Sequence, residues 1–115
     1  MSEKRTRIPS RREAAEGQAV KFDHDKIPYE LLAPEFLEGT ATVLGFGADK
    51  YGARNWENGM AWGRPFAACM RHMWAWWKGE KLDPESGLPH LHHAACCLMF
   101  LIAYEERNVG EDDRS

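Results

Sequence analysis

The stretch "RPFAACMRHMWAWWKGEKLDPESGLPHLHHAACCLMFLIAYEE", residues 64–106, decides the fold. Two apolar runs flank a short polar loop. The first, "FAACMRHMWAWW", is apolar almost all round, so a largely buried helix is expected from about Arg64-Pro65 to Lys78. Arg71 and His72 are its exceptions. A buried Arg must be paired, and a buried His must be hydrogen-bonded or bound to something. The loop "GEKLDPESG" carries Gly79, Pro84 and Gly87 as breakers. Pro89 then opens a helix running to about Glu106, with Ser86 placed to help cap it. Leu91, Ala94, Ala95, Leu98, Met99, Leu101 and Ile102 make that helix apolar on most sides.

Upstream, Pro34 suits the first turn of another helix, and Leu37, Ala41 and Leu44 follow at three- and four-residue spacing. Gly39, Gly45 and Gly47 weaken it by roughly 1 kcal/mol each unless close packing requires them. "GARNWENGMAWG" is a glycine-rich connection. No segment alternates as a strand should. The reading is an all-α fold, a compact helical bundle of three to four helices. Three helices leave much apolar surface, so completion by homo-oligomerisation is expected.

The chain has 115 residues and 43% hydrophobic content, which suits one domain with one core. The division reads as a flexible basic arm at 1–20, a helical domain at 21–106 and an acidic C-terminal tail at 107–115, the two ends being mobile. A net charge of −3 is too small to define a partner, and no nucleic-acid partner is expected. No segment approaches the roughly 20 apolar residues of a membrane span, and the start lacks a signal-peptide core, so a cytoplasmic protein without a membrane partner is expected. Three cysteines, all within apolar runs, argue for packing rather than disulfides. The five tryptophans, at 56–77, suggest one wall of a core or pocket.

Three of the five histidines fall at 90, 92 and 93. His90 and His93 share a helix face and suit two ligands of one metal, whereas His92 points about 100° or more away. If the helices on either side of the loop run antiparallel, His72 reaches the same place. Glu80, Asp83 and Glu85 lie in that loop, where one of them completes a ligand sphere or merely favours a helix N-terminus. A His/carboxylate set suits a divalent transition metal or Zn, and carboxylates alone suit Mg. The competing reading is that these histidines are solvated first-turn residues. Glu35 and Glu38 share a face that is either functional or simply solvated. Lys50, Arg54 and Arg71 are candidate phosphate contacts. Against that stand surface charge for the first two and a buried ion pair for Arg71. Trp56 either stacks on a base or plugs the core.

"VLGFGADKYGARNW" and "RHMWAWWKGEKLDPESGLPHLHHAACCLMFL" resemble the signature of phage dATP/dGTP diphosphohydrolases, a MazZ-type family loosely related to MazG-like all-α nucleotide pyrophosphohydrolases. "KFDHDKIPYELLAPEFLE" resembles that family's opening segment, so the likeness covers about 21–104. The resemblance implies a MazG-like helical domain, divalent metal ions (Co, Mn, Mg or Zn), an oligomer, and attack of water on the α-phosphorus of dGTP or dATP. The products are then the monophosphate and pyrophosphate.

MazG-like enzymes present E-x-x-E on one helix and E-x-x-D on the next. Here Glu35-x-x-Glu38 fits the first by pattern, but His90-x-x-His93 stands where the second is sought. The change of ligand type favours a softer ion such as Co, Mn or Zn. The assignment that follows gives the metal to His72, His90 and His93, completed by Glu80, Asp83 or Glu85. The base is one of Glu35, Glu38 or Glu85. Lys26, Lys50, Arg54 and Arg71 grip phosphates, and Tyr51, Asn55 and Trp56 hold the base or sugar. The rival function is a phage protein that sequesters a host defence nucleotide signal without hydrolysing it. A third is a purely structural helical oligomer that binds neither metal nor nucleotide.

Overall fold

The computed structural model describes residues 25–115. The chain divides into two compact units, 1–32 and 33–115. Of the first, the described part holds one 3-10 turn, Tyr29–Leu31. The basic arm expected at 1–20 lies outside the described residues.

The second unit carries three helices: α1 (Pro34–Tyr51), α2 (Gly63–Trp77) and α3 (His90–Arg107), with a 3-10 turn at Asn55–Asn58. Among the described residues there are isolated bridges, Ala61 with Glu111 and Leu82 with Pro89, but no strand. The all-α expectation holds. No helix of the described chain is long and apolar enough to cross a membrane. Pro34 sits in the first turn of α1, where its missing N–H costs nothing. The start of α1 and both ends of α2 and α3 agree with the sequence reading to within about two residues, the usual uncertainty of helix ends.

α3 is the hub, and α1, α2 and the 55–58 turn all pack on it. Contacts of His72 with His90 and of Cys69 with Ala94 show that α2 and α3 run antiparallel. Tyr104, 1% exposed, anchors the far end and donates its hydroxyl proton to the Trp56 carbonyl at 2.6 Å. Trp56 stacks on Phe100, ring centroids 4.8 Å apart.

Two expectations about helix faces need correction. On α1 the buried residues are Gly39, Thr40 and Val43, while Leu37 and Ala41 face outward. The face was chosen by close approach rather than by hydropathy. A Cβ on Gly39 would come within 2.5 Å of the His92 ring, so only glycine lets α1 lie this near α3. On α2 burial is also less than expected. Pro65 is its buried residue, and Phe66, Met70, Met73, Trp74, Trp76 and Trp77 are exposed. The reason is geometric: α3 packs along one side of α2, and the residues named lie away from that contact.

The acidic end is not the mobile tail expected. Glu111 exchanges backbone bonds with Met60 and Trp62, and the Trp62 indole donates to the Val109 carbonyl at 2.8 Å. Asp113 accepts from the Gly63 N–H at 2.8 Å, placing a carboxylate at the α2 N-terminus, where the helix dipole favours it. Gly110, at φ 87°, makes this approach feasible, because a Cβ there would lie 2.4 Å from the Met60 carbonyl oxygen.

Candidate metal centre and cleft

The α2–α3 loop is a frame for the histidines. The Glu80 N–H donates to Ala75 O, the His90 N–H to Lys81 O, and the Asp83 N–H to Leu88 O. Asp83 then takes the Ser86 backbone N–H and hydroxyl at 2.9 Å each. Ser86 therefore serves the loop and not α3, whose N-terminal residue Pro89 has no side-chain cap. Its Oγ also accepts from the Leu88 N–H and meets His93 Nε2 at 2.7 Å.

His72 contacts two of the three α3 histidines, His90 and His93. Its Nδ1 is 2.9 Å from His90 Nδ1, and its ring stacks on His93 with centroids 4.6 Å apart. His90 turns its other nitrogen, Nε2, to Glu80 Oε1 at 2.8 Å. His93 Nε2 stands 3.8 Å from Asp83 Oδ2. His72, Asp83 and His90 each bring one ligating atom within 4.8 Å of the others. His92 takes no part and packs on Gly39 instead.

The electrostatics suit ligation. Burial pushes the His72 imidazole below its ordinary pKa, helped by the neighbouring His93 and His90. Burial does the same to His93, with Asp83 opposing. Burial alone would raise the Asp83 carboxyl, but the Ser86 N–H and hydroxyl and the nearby His93 and His72 outweigh it and hold it below the usual range. Neutral imidazoles beside a hydrogen-bonded carboxylate form a nitrogen–oxygen donor set that fits a divalent transition ion or Zn. No cysteine joins this cluster among the described residues, and burial pushes Cys96 up to about 12 and Cys97 up to about 11.

A cleft of about 780 Å³ opens beside this cluster, within the roughly 300–1,000 Å³ of ligand pockets. Lys50, Tyr51, Arg54, Asn55, Trp56 and Arg71 line it, together with His72, Asp83, Glu85 and His93. Arg71 is exposed and has no ion pair among the described residues, so the expected buried pair with a loop acid is not present. Lys50 pairs with Glu85 and also lies over the Tyr51 ring. Arg54, in the left-handed region at φ 62°, pairs with Glu57, which also binds Arg107 at 3.0 Å. Arg107 in turn covers Trp56, whose ring is already stacked on Phe100.

Three other assigned acids do not line the cleft. Glu80 is behind His90. Glu35 and Glu38 are exposed on the first turns of α1 and do not line the cleft. Lys26 belongs to the first unit. Two functional candidates escaped the sequence reading. Ser86 was legible in principle, since "DPES" places an acid three residues before a turn N–H. Glu57 was not, because its two arginines lie at different sequence distances, one of them on α3.

The family described as dATP/dGTP diphosphohydrolase, N-terminal, matches residues 16–114. A relative from Salmonella phage PMBT28, named dATP/dGTP diphosphohydrolase, is 40% identical over 95 residues. That alignment covers 83% of this chain and 32% of the relative, so the chain spans about a third of that protein's length. No solved structure matches. With nearly the whole described chain inside the match, this protein belongs to the dATP/dGTP diphosphohydrolase N-terminal family.

Proposed function

We propose that the cleft hydrolyses dGTP or dATP to the monophosphate and pyrophosphate, with a divalent ion held by His72, Asp83 and His90. One observation carries this reading. Three cationic side chains, Lys50, Arg54 and Arg71, and the aromatic residues Tyr51 and Trp56 line the same cleft as His72 and Asp83. Anion grip, base contact and ligand atoms thus share one space. The relative's name supplies the substrate class.

In this account the cations hold the triphosphate, and Tyr51, Asn55 and the free edge of Trp56 contact the deoxynucleoside. A bound divalent ion supplies positive charge against the phosphates and makes water more acidic. The attacking water loses a proton to a carboxylate, and Glu85 is the assigned base that lines the cleft. The water oxygen bonds to the α-phosphorus as the bond to the α,β-bridging oxygen breaks, and pyrophosphate leaves. Because Lys50 pairs with Glu85, a triphosphate that draws Lys50 away also frees that carboxylate. The exposed apolar side of α2 supports assembly with further copies of the chain.

The test is product analysis. The purified chain is incubated with each dNTP and NTP, with Mg, Mn, Co, Zn or a chelator, and the products are resolved by ion-exchange chromatography. Monophosphate plus pyrophosphate from dGTP or dATP, abolished by chelation and by Asp83→Asn, is expected. Intact nucleotide from a folded protein in every mixture would overturn hydrolysis in favour of sequestration.

A further inference from the structure

We infer that Glu80 is a positioning residue: it fixes the proton of His90 on Nε2 and thereby presents Nδ1 to the metal. The inference rests on the metal-centre reading above. It differs from the sequence expectation, which offered Glu80, Asp83 or Glu85 as the acid completing the ligand sphere.

A carboxylate accepts hydrogen bonds and has none to give. Since Glu80 Oε1 lies 2.8 Å from His90 Nε2, that nitrogen carries the hydrogen. In the neutral ring the lone pair is then on Nδ1, which points at His72 Nδ1 2.9 Å away. The His90 side chain is 5% exposed, so water has little access to exchange these roles, whereas Glu80, 51% exposed, keeps its outer face wet. The backbone frame holds both partners, with Glu80 tied to Ala75 and His90 to Lys81. Asp83, not Glu80, is the acid whose oxygen lies within 4.8 Å of a ligating atom of both His72 and His90. An outer carboxylate on a ligating histidine sets its tautomer and raises its basicity.

The proton balance follows. Without metal, His90 Nδ1 accepts the hydrogen carried by His72 Nδ1. A cation held at both Nδ1 atoms would leave the His90 proton on Nε2. His72 gives up its Nδ1 proton and takes one at Nε2, with no net release while the ring stays neutral. The tautomer switch therefore falls on His72 alone.

Long-range ¹H–¹⁵N spectra of the full chain, without metal and with Zn²⁺, read each ring directly. The expected result is a proton on His90 Nε2 in both states, and on His72 a move from Nδ1 to Nε2 upon Zn²⁺ addition. Calorimetry with Zn²⁺ should show affinity falling about ten- to a hundredfold in Glu80→Ala. Glu80→Gln, whose amide oxygen still accepts the hydrogen bond, should retain the tautomer and most of the affinity. Far-UV circular dichroism reports whether both variants fold. A proton on His90 Nδ1, or folded Glu80→Ala binding Zn²⁺ as tightly as the unaltered chain, would overturn the inference. Failure of the unaltered chain to bind Zn²⁺ while His90 keeps its Nε2 proton would overturn the metal-centre reading instead.

Discussion

Trp77 on α2 is 70% exposed, while His90, at the start of α3, is 4% exposed. Hydropathy alone predicts the reverse. Both residues belong to one helical hairpin, and the difference lies in what each can bond to. His90 is buried because Glu80 and His72 satisfy both ring nitrogens. A buried polar group so paired costs little, whereas an unpaired one costs about 1–3 kcal/mol. Trp77 is exposed because it lies away from the side of α2 that packs on α3. Among the described residues, the polar end of the hairpin is therefore satisfied and its apolar side is left exposed.

The largest effect should come from breaking the polar end. His72→Ala and Asp83→Asn each remove a candidate ligand, and each should reduce turnover of dGTP more than the roughly 10–100-fold expected for loss of an outer partner. Steady-state pyrophosphate release measures this, with circular dichroism confirming the fold. At the apolar side, Trp74→Glu should lower the assembled mass seen by sedimentation. If that face has no partner copy, the mass stays constant and stability moves by no more than about 0.5 kcal/mol.

Glycines sharpen the contrast further. Gly39→Ala pushes into the His92 ring and should destabilise the chain by about 1–3 kcal/mol in chemical denaturation. Gly45→Ala meets nothing within 4 Å and should stabilise it by up to about 1 kcal/mol. Tyr104→Phe removes the bond to Trp56 O and should cost about 1 kcal/mol.

The smallest expected effect is the response to acid. His72 and His93 have folded pKa values below the ordinary 6.5, so the unfolded chain binds more protons just under that pH. Stability should therefore fall as pH drops below 6.5, and His72→Gln should flatten that part of the profile. Asp83, also lowered, adds a second loss below pH 3.8.

Helix type and extent were legible because Pro34, Pro65, Pro89 and the loop breakers act locally. The approach of His72 to His90 was legible too, since a short loop between two helices forces an antiparallel pair. Which face of α1 packs was not, because Gly39 gains its meaning from His92, 53 residues away. The hydrogen bond of Glu80 to His90 was equally hidden. Sequence spacing places Glu80 near the histidines but cannot say which ring nitrogen it touches. The C-terminal acids read as a solvated tail because their partners, Met60, Trp62 and Gly63, are fixed only by the turn at Gly110.

The most direct test of the central claim is a crystal structure with Mn²⁺ and a non-hydrolysable α,β-imido analogue of dGTP, using anomalous scattering to locate the metal. The account expects the ion among His72, Asp83 and His90, with the triphosphate running along Lys50, Arg54 and Arg71. Metal elsewhere, or nucleotide seated in the separate depression lined by Trp76, Trp77 and Lys81, would contradict it.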